Sequence, residues 1–195
     1  MIRLFTALCK ALLEDLSDEQ IFQAATTGFS HHGTRCPKCG ATGKLSAYGG
    51  YSRGTVSRRD SKTVTYSTWI DRFECGSCGA THALLPDILI PHSQYTLNFK
   101  LSALVAYFER KDTVINICSI FEIAVSTIYR WIELMSRHWE LMLGVLISRK
   151  TSALGFLLGL LGSDTLSVTL HIFFNRYGFS FMQNRSASAA RSNSP

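Results

Sequence analysis

Hydrophobic positions along the chain change their period several times. From residue 2 to residue 16, Ile2, Phe5, Leu8, Cys9, Leu12, Leu13 and Leu16 recur at spacings of three and four, the stripe of an amphipathic helix. Ser17, with Gln20 three residues later, resembles a capping box that opens a short second helix to about Ala25. Gly28 to Gly33, with His31 and His32, reads as a linker.

From Cys36 to about Pro91 the pattern becomes short, glycine-punctuated and β-rich. Thr63 to Phe73 is dense in β-branched and aromatic residues and predicts a strand. Lys44 to Tyr51 and Ala80 to Leu85 predict two more, and Pro86 and Pro91 close the region. The helical period returns at Leu97, with Leu101, Leu104, Val105 and Phe108 on one face and an end near Lys111 and Asp112. Further helices are expected over 114–121 and about 125–147. After Thr151 the chain is apolar but poorly patterned, although Phe173, Phe174, Tyr177, Phe179 and Phe181 must pack somewhere; Ser186 to Pro195, small and polar, reads as a disordered tail.

The fold class expected is α+β: a small β-rich zinc ribbon followed by an α-helical helix-turn-helix bundle. The segments are 1–33 (helical), 34–92 (ribbon), 93–150 (helix-turn-helix), 151–185 (apolar) and 186–195 (tail). A chain of 195 residues suits one compact domain or two small ones.

The ribbon assignment rests on cysteine. The sequence reads Cys36-Pro37-Lys38-Cys39-Gly40, then, after 35 intervening residues, Cys75-Gly76-Ser77-Cys78-Gly79. Two residues between cysteines let a tight turn aim both sulfurs at one ion, and the following glycines let backbone amides approach the thiolates. Four thiolates select Zn²⁺ over harder cations, with iron as the usual competitor, and a closed set of four makes the metal structural. A redox dithiol would need a single Cys-x-x-Cys opening a helix after a strand, whereas here there are two, each leading into β-like sequence. His82, four residues after Cys78, is an alternative ligand. His31, His32 and His92 read as surface residues or neighbours of the ligands, and Cys9 and Cys118 as core thiols.

In the stretch 113–132, Val114, Ile117, Cys118 and Phe121 predict the inner face of a first short helix. Ile123 and Ile128 form a staple-like pair around a second helix beginning at about Val125, with Ala124 at its cap position, where Ser or Asp would serve better. Ile128 and Trp131 or Ile132 face inward, which leaves Val125, Ser126, Thr127, Tyr129 and Arg130 near the outward N-terminal turns. In a helix-turn-helix those turns enter the major groove, where Ser126 and Thr127 can bond phosphates or base edges, Tyr129 a phosphate, and Arg130 guanine or backbone. An ordinary helical hairpin with the same apolar core is the plainer alternative.

Charge adds an anionic partner to this picture. The formal charge is +6, and residues 34–92 hold eight Lys/Arg against four Asp/Glu, whereas residues 1–33 hold two against four. Arg53, Arg58, Arg59 and Lys62 cluster with Tyr48, Tyr51 and Tyr66 between the two cysteine pairs, as a second candidate surface for phosphates or as a solvated hairpin tip. The first residues lack a cleavage pattern, and the longest apolar run, Leu154 to Leu161, falls short of the ~20 residues of a membrane span, so a cytoplasmic protein without membrane association is expected. Asn184-Arg185-Ser186 fits a glycosylation sequon, but no other signal suggests secretion.

Residues 34–135 resemble uncharacterised bacterial proteins with a transposase-like zinc ribbon and helix-turn-helix, related to the N-terminal parts of insertion-sequence transposases. The resemblance is carried by Cys36-Pro37-x-Cys39-Gly40, Tyr48-Gly49-Gly50-Tyr51-x-Arg53, the segment from Arg72-Phe73 through Cys75-x-x-Cys78-Gly79 to Pro86, and Ser126-Thr127-Ile128-Tyr129-Arg130-Trp131. It implies binding of double-stranded DNA at the ends of mobile elements. The three-carboxylate nuclease domain of such transposases does not carry over, because Asp164 is the only acidic residue after Glu140. The expectation is therefore a binding protein and not an enzyme: transposon-associated or a transcriptional regulator, either as a homodimer or with a transposase or transcription partner. The alternative is an adaptor whose ribbon docks such a partner.

Overall fold

The computed structural model describes residues 1–4, 18–146, 152–162 and 166–184. In chain order the elements are β1 (Ile2–Leu4), α1 (Asp18–Thr26), β2 (Leu45–Arg59), β3 (Lys62–Cys75), β4 (Thr81–Pro86), α2 (Leu97–Glu109), α3 (Val114–Phe121), α4 (Val125–Leu146), α5 (Ala153–Leu161) and α6 (Leu166–Tyr177). The fold is α+β, with one four-stranded sheet in the order β1-β4-β3-β2.

Strands β2 and β3 form a long antiparallel hairpin, from Leu45 opposite Cys75 to Arg59 opposite Lys62. The two turn residues, Asp60 and Ser61, both have positive φ (49° and 63°), which matches the right-handed twist of the flanking strands. A bulge between Ala47 and Gly50 bends the strand. Gly50 is pressed against its partner, so that a Cβ there would lie 2.6 Å from the Ile70 carbonyl oxygen. Strand β2 therefore continues eight residues past Tyr51, where the sequence pattern placed its end, because Gly49, Gly50 and Gly54 interrupt the alternation without ending the ladder.

One expectation is overturned at the N-terminus. Ile2–Leu4, read as the start of an amphipathic helix, is a strand paired parallel to β4, with Ile2 opposite Leu84. The reason is tertiary: β4 offers an open edge, and Ile2 fills a small cluster with Cys36, Leu45, Phe73, Cys75 and Leu84. The rest of that helix and the Ser17 cap lie outside the described residues, as does the tail 186–195. The short helix expected to about Ala25 is α1.

The larger core belongs to the helices. Leu101, Leu104, Ile117, Phe121, Ile128, Trp131, Met135, Leu157 and Phe173 are all buried in it. Helix α2 is capped by Thr96, whose hydroxyl accepts from the Phe99 amide, and α3 by Thr113 in the same way toward Asn116. Glu122 ends α3 in the left-handed region, and after Ile123 and Ala124 the chain re-enters α4. Ile123 and Ile128 are both buried, as the staple reading expects. The axes of α3 and α4 are bent 101° from each other.

The poorly patterned C-terminal segment forms α5 and α6, and its aromatic residues pack on α4. Phe173 and Phe181 are buried, and the His138 ring lies 5.1 Å from that of Phe179. Among the described residues no single helix is long and apolar enough to cross a membrane.

Candidate functional site

Each cysteine pair sits in a turn of the same construction. In the first, the Cys36 amide donates to Ala41 O (2.8 Å) and the Gly40 amide to Cys36 O (2.9 Å). In the second, the Cys75 amide donates to Ala80 O (2.9 Å) and the Gly79 amide to Cys75 O (2.8 Å). Both turns need a left-handed residue at the fifth position, supplied by Gly40 (φ 77°) and Gly79 (φ 66°). The Lys38 amide points at Cys36 Sγ from 3.4 Å. The sheet brings the turns together, since Cys75 ends β3 opposite Leu45, and the Gly76 amide donates to Lys44 O (2.8 Å).

The four sulfurs lie within 4.8 Å of one another, with Cys36 Sγ 3.9 Å from Cys78 Sγ and Cys39 Sγ 3.7 Å from Cys75 Sγ. A tetrahedron with sulfurs about 2.3 Å from a central Zn²⁺ has edges of about 3.8 Å, so the observed spacing suits such an ion. The donor set itself is compatible with a cation. The Cys39 amide, with help from the Lys38 amide and His82, holds the Cys36 thiol down at about 5. Although the Ala41 amide favours its thiolate, Cys39 is pushed up to about 11 by burial and by the neighbouring sulfurs Cys78, Cys36 and Cys75. Thiolates this close repel one another, and a divalent ion lets all four ionise.

His82 is not in the sulfur quartet, but it touches it. The buried ring places Nε2 3.3 Å from Cys36 Sγ, and Nδ1 lies 3.0 Å from the amino group of Met1. In the tautomer protonated on Nε2 the ring donates to the sulfur, an arrangement that orients a metal ligand. The His31 ring packs at a tilt against Phe73 (centroids 5.3 Å apart) and His32 (4.2 Å), beside the ribbon cluster. His92 is exposed in the segment before α2. Cys118 is buried on the inner face of α3, and Cys9 lies outside the described residues.

The residues expected to meet nucleic acid fall into two groups. At the start of α4, Ser126, Tyr129 and Arg130 are exposed and Thr127 is half-buried on a neighbouring face; Ile128 and Trp131 point into the core. On the hairpin, Arg59 is exposed, with Asp60 beside it at 3.8 Å. Arg58 lies over the Phe121 ring, 4.1 Å from its centroid. Arg53 is half-buried, and its Nη2 donates to Ile90 O at 2.9 Å and to Ser93 O. Arg53 and Arg58 thus tie the hairpin to the segment before α2 and to α3, a role that their position in a basic cluster did not reveal.

Sequence reasoning passed over Lys100. It lies on α2, is only 4% exposed, and its ammonium donates to Met182 O (3.3 Å) while facing the Trp131 ring at 5.5 Å. Burial, reinforced by the nearby Arg53 charge, pushes it down to about 8. An apolar helical face in the sequence gives no sign of a buried cation.

Residues 36–131 match a family model described as a domain of unknown function (DUF6431). The stretch starts at the first cysteine of the quartet and ends at Trp131 of α4, which fits an uncharacterised family. No curated protein and no solved structure matches the chain.

Proposed function

We propose that this chain binds double-stranded DNA, with one Zn²⁺ held by Cys36, Cys39, Cys75 and Cys78 as a structural ion and with α3 and α4 acting as a helix-turn-helix whose second helix reads the major groove. The observation that carries the reading is the α3–α4 pair: two helices bent 101° apart across a three-residue turn, within the range of that motif, with the N-terminal polar side chains of the second left outside the core. Ser126, Thr127, Tyr129 and Arg130 are the contacts assigned to it, and Arg59 and Arg58 extend the basic surface along the hairpin. Arg53, bound to two carbonyls, serves the interface from inside by fixing the segment before α2. The metal's task is to close the base of the ribbon, since a four-thiolate site leaves no position for substrate. The protein proposed is a cytoplasmic bacterial DNA-binding protein, associated with transposons or transcription.

The test is selection of bound duplexes from a random pool by the zinc-loaded protein, followed by measurement of the selected site. Affinity should fall steeply with salt, by roughly 10²-fold over a fourfold rise if about four phosphates are contacted. Arg130→Ala should cost about 1–3 kcal/mol, with relaxed specificity at one base pair and zinc content unchanged. Unchanged affinity in that variant would remove α4 as the reader.

Exposed aromatic residues favour a second reading. Trp69 (58% exposed), Tyr48 and Tyr51 stand out on the ribbon hairpin, and such residues are enriched where proteins dock. An adaptor that presents this face to a transposase or transcription partner would show weak, salt-insensitive DNA binding.

A further inference from the structure

We propose that the cleft between α2, α4 and the segment Pro91–Tyr95 is an oxyanion site that takes a phosphate group. The cleft has a volume of about 360 Å³, the size of a small-ligand pocket. Its polar lining converges from three directions: Lys100 from α2; Thr127, Arg130 and Arg137 from α4; Gln94 from the loop. Trp131 forms an apolar wall.

Among the described residues three lining side chains are cationic and none is acidic. Arg137 also has Glu133 at 3.7 Å along the same helix, outside the cleft lining. The loop is held by Arg53, a fourth cation, through the carbonyls of Ile90 and Ser93.

Lys100 is the decisive member. A buried ammonium is ordinarily paired, because removing the charge from water is costly. Here the structure gives it one carbonyl and an aromatic face, and among the described residues it makes no ion pair. Its charge adds to those of Arg53, Arg130 and Arg137, so the fold concentrates positive potential on a concave surface that an anion would neutralise. A phosphate fits this donor set better than a carboxylate does, having enough acceptor oxygens to meet an ammonium, two guanidinium groups and the Thr127 hydroxyl together.

The phosphate can come from a duplex backbone, since Thr127 and Arg130 also belong to the start of α4, or from a free phosphate-bearing molecule. The inference does not depend on the DNA reading, and the test separates the two.

The full-length, zinc-loaded protein is titrated with inorganic phosphate at constant ionic strength, with chloride as the balancing salt, and backbone amide shifts are followed. Saturable shifts centred on Lys100, Thr127, Arg130 and Arg137 are expected, with at least tenfold weaker binding in Lys100→Met and in Arg137→Gln. Arg137 is exposed, so the second variant keeps the test valid should the first disturb packing. Absence of saturation, or unchanged phosphate affinity in a folded Arg137→Gln protein, overturns the proposal.

The same variants are then assayed with duplex DNA. If duplex affinity falls in parallel and phosphate displaces duplex more than equal-strength chloride does, the occupant is a backbone phosphate. If phosphate binding is lost while duplex binding is absent or indifferent, the occupant is a free phosphate-bearing ligand, and the oxyanion site stands without the DNA reading.

Discussion

Removing the metal from the reduced protein at neutral pH should unfold the ribbon base while leaving the helical core intact. Among the described residues the ribbon's own apolar cluster is small: apart from Cys36 and Cys75, its buried members are Ile2, Leu45, Phe73 and Leu84. At roughly 1.5–3 kcal/mol for each buried side chain, these four contribute about 6–12 kcal/mol before any chain entropy is subtracted. A structural zinc site contributes about 10–16 kcal/mol, so an ion bound there would supply from just under half to about three-quarters of what favours the folded base. Among the described residues the helical core has 22 buried members, none of them in the sulfur quartet. Amide hydrogen exchange reads the difference directly. After stoichiometric removal of zinc, protection of the Cys36, Gly40, Cys75 and Gly79 amides, each bonded within its turn, should fall by about 10²-fold or more. The amides of Leu101, Ile128 and Met135 should change little. Knuckle amides that stay protected in metal-free, fully reduced protein would refute the reasoning, because the sulfur quartet would then be an ordinary packed cluster.

Other consequences follow from the helical layer. His138 is held neutral by burial, with additional repulsion from Arg137 and Lys100, its pKa lowered to about 4, while Nδ1 accepts from the Met182 amide at 3.0 Å. A base whose folded pKa lies below its unfolded value binds fewer protons when folded, so stability should be lost as pH falls from about 6.5 to about 4. The loss should be roughly 2 kcal/mol after allowance for partial solvent screening, and His138→Phe should flatten that part of the stability profile measured by urea titration. Lys100 gives the same sign in a higher window: its pKa of about 8 means that stability should rise as pH goes from about 8 to about 10.5. Lys100→Met should abolish the rise and should itself raise stability at pH 7 by an amount on the order of 1–3 kcal/mol, read by thermal melting without added phosphate. Arg53→Ala should lower stability by about 2–4 kcal/mol, since it strips two carbonyls of a charged donor at the junction of hairpin and helices; Arg59→Ala, whose side chain is exposed, should cost less than about 0.5 kcal/mol in the same melts.

The sulfur quartet was legible because its geometry is local: two residues between sulfurs and a glycine after each pair dictate the turn, and only the meeting of the two turns is tertiary. Helices α3 and α4 were legible to within a residue because the three- and four-residue spacing and the Ile123/Ile128 pair mark the same boundaries. Strand β1 was not, since three residues carry no period and the partner strand lies about 80 positions away. Helix α5 escaped because Leu154 to Leu161 is apolar on nearly every face, with two glycines inside a helix that tertiary packing stabilises. Arg53 and Lys100 show the limit most plainly. Both are visible as charges, but whether a charge meets solvent, a carbonyl or a cleft is decided by segments far along the chain, Ile90 and Ser93 in one case and Met182 in the other.

The hairpin determines how the two ends of the molecule can influence each other. At its turn end, the Val56 amide donates to Gln94 O (2.7 Å), the Thr96 amide returns to Val56 O (3.0 Å), and Thr63 Oγ1 donates to Phe121 O (3.2 Å). These bonds fix the cap of α2 and the end of α3 against β2 and β3. The sulfur quartet lies at the other end, where Cys75 pairs with Leu45. Twelve residue steps separate Thr63 from Cys75, at most about 40 Å of strand at 3.3 Å per step. An ion at that distance cannot order α4 directly, and any influence must be transmitted along the hairpin, whose stiffness is interrupted by the bulge at Ala47/Gly50. Metal loss should therefore weaken duplex binding less than Arg130→Ala does, mainly through the hairpin's own basic face. A metal-free protein that keeps its helical core but loses duplex binding entirely would mean that the ribbon end carries the dominant contact, and that the reader is not α4.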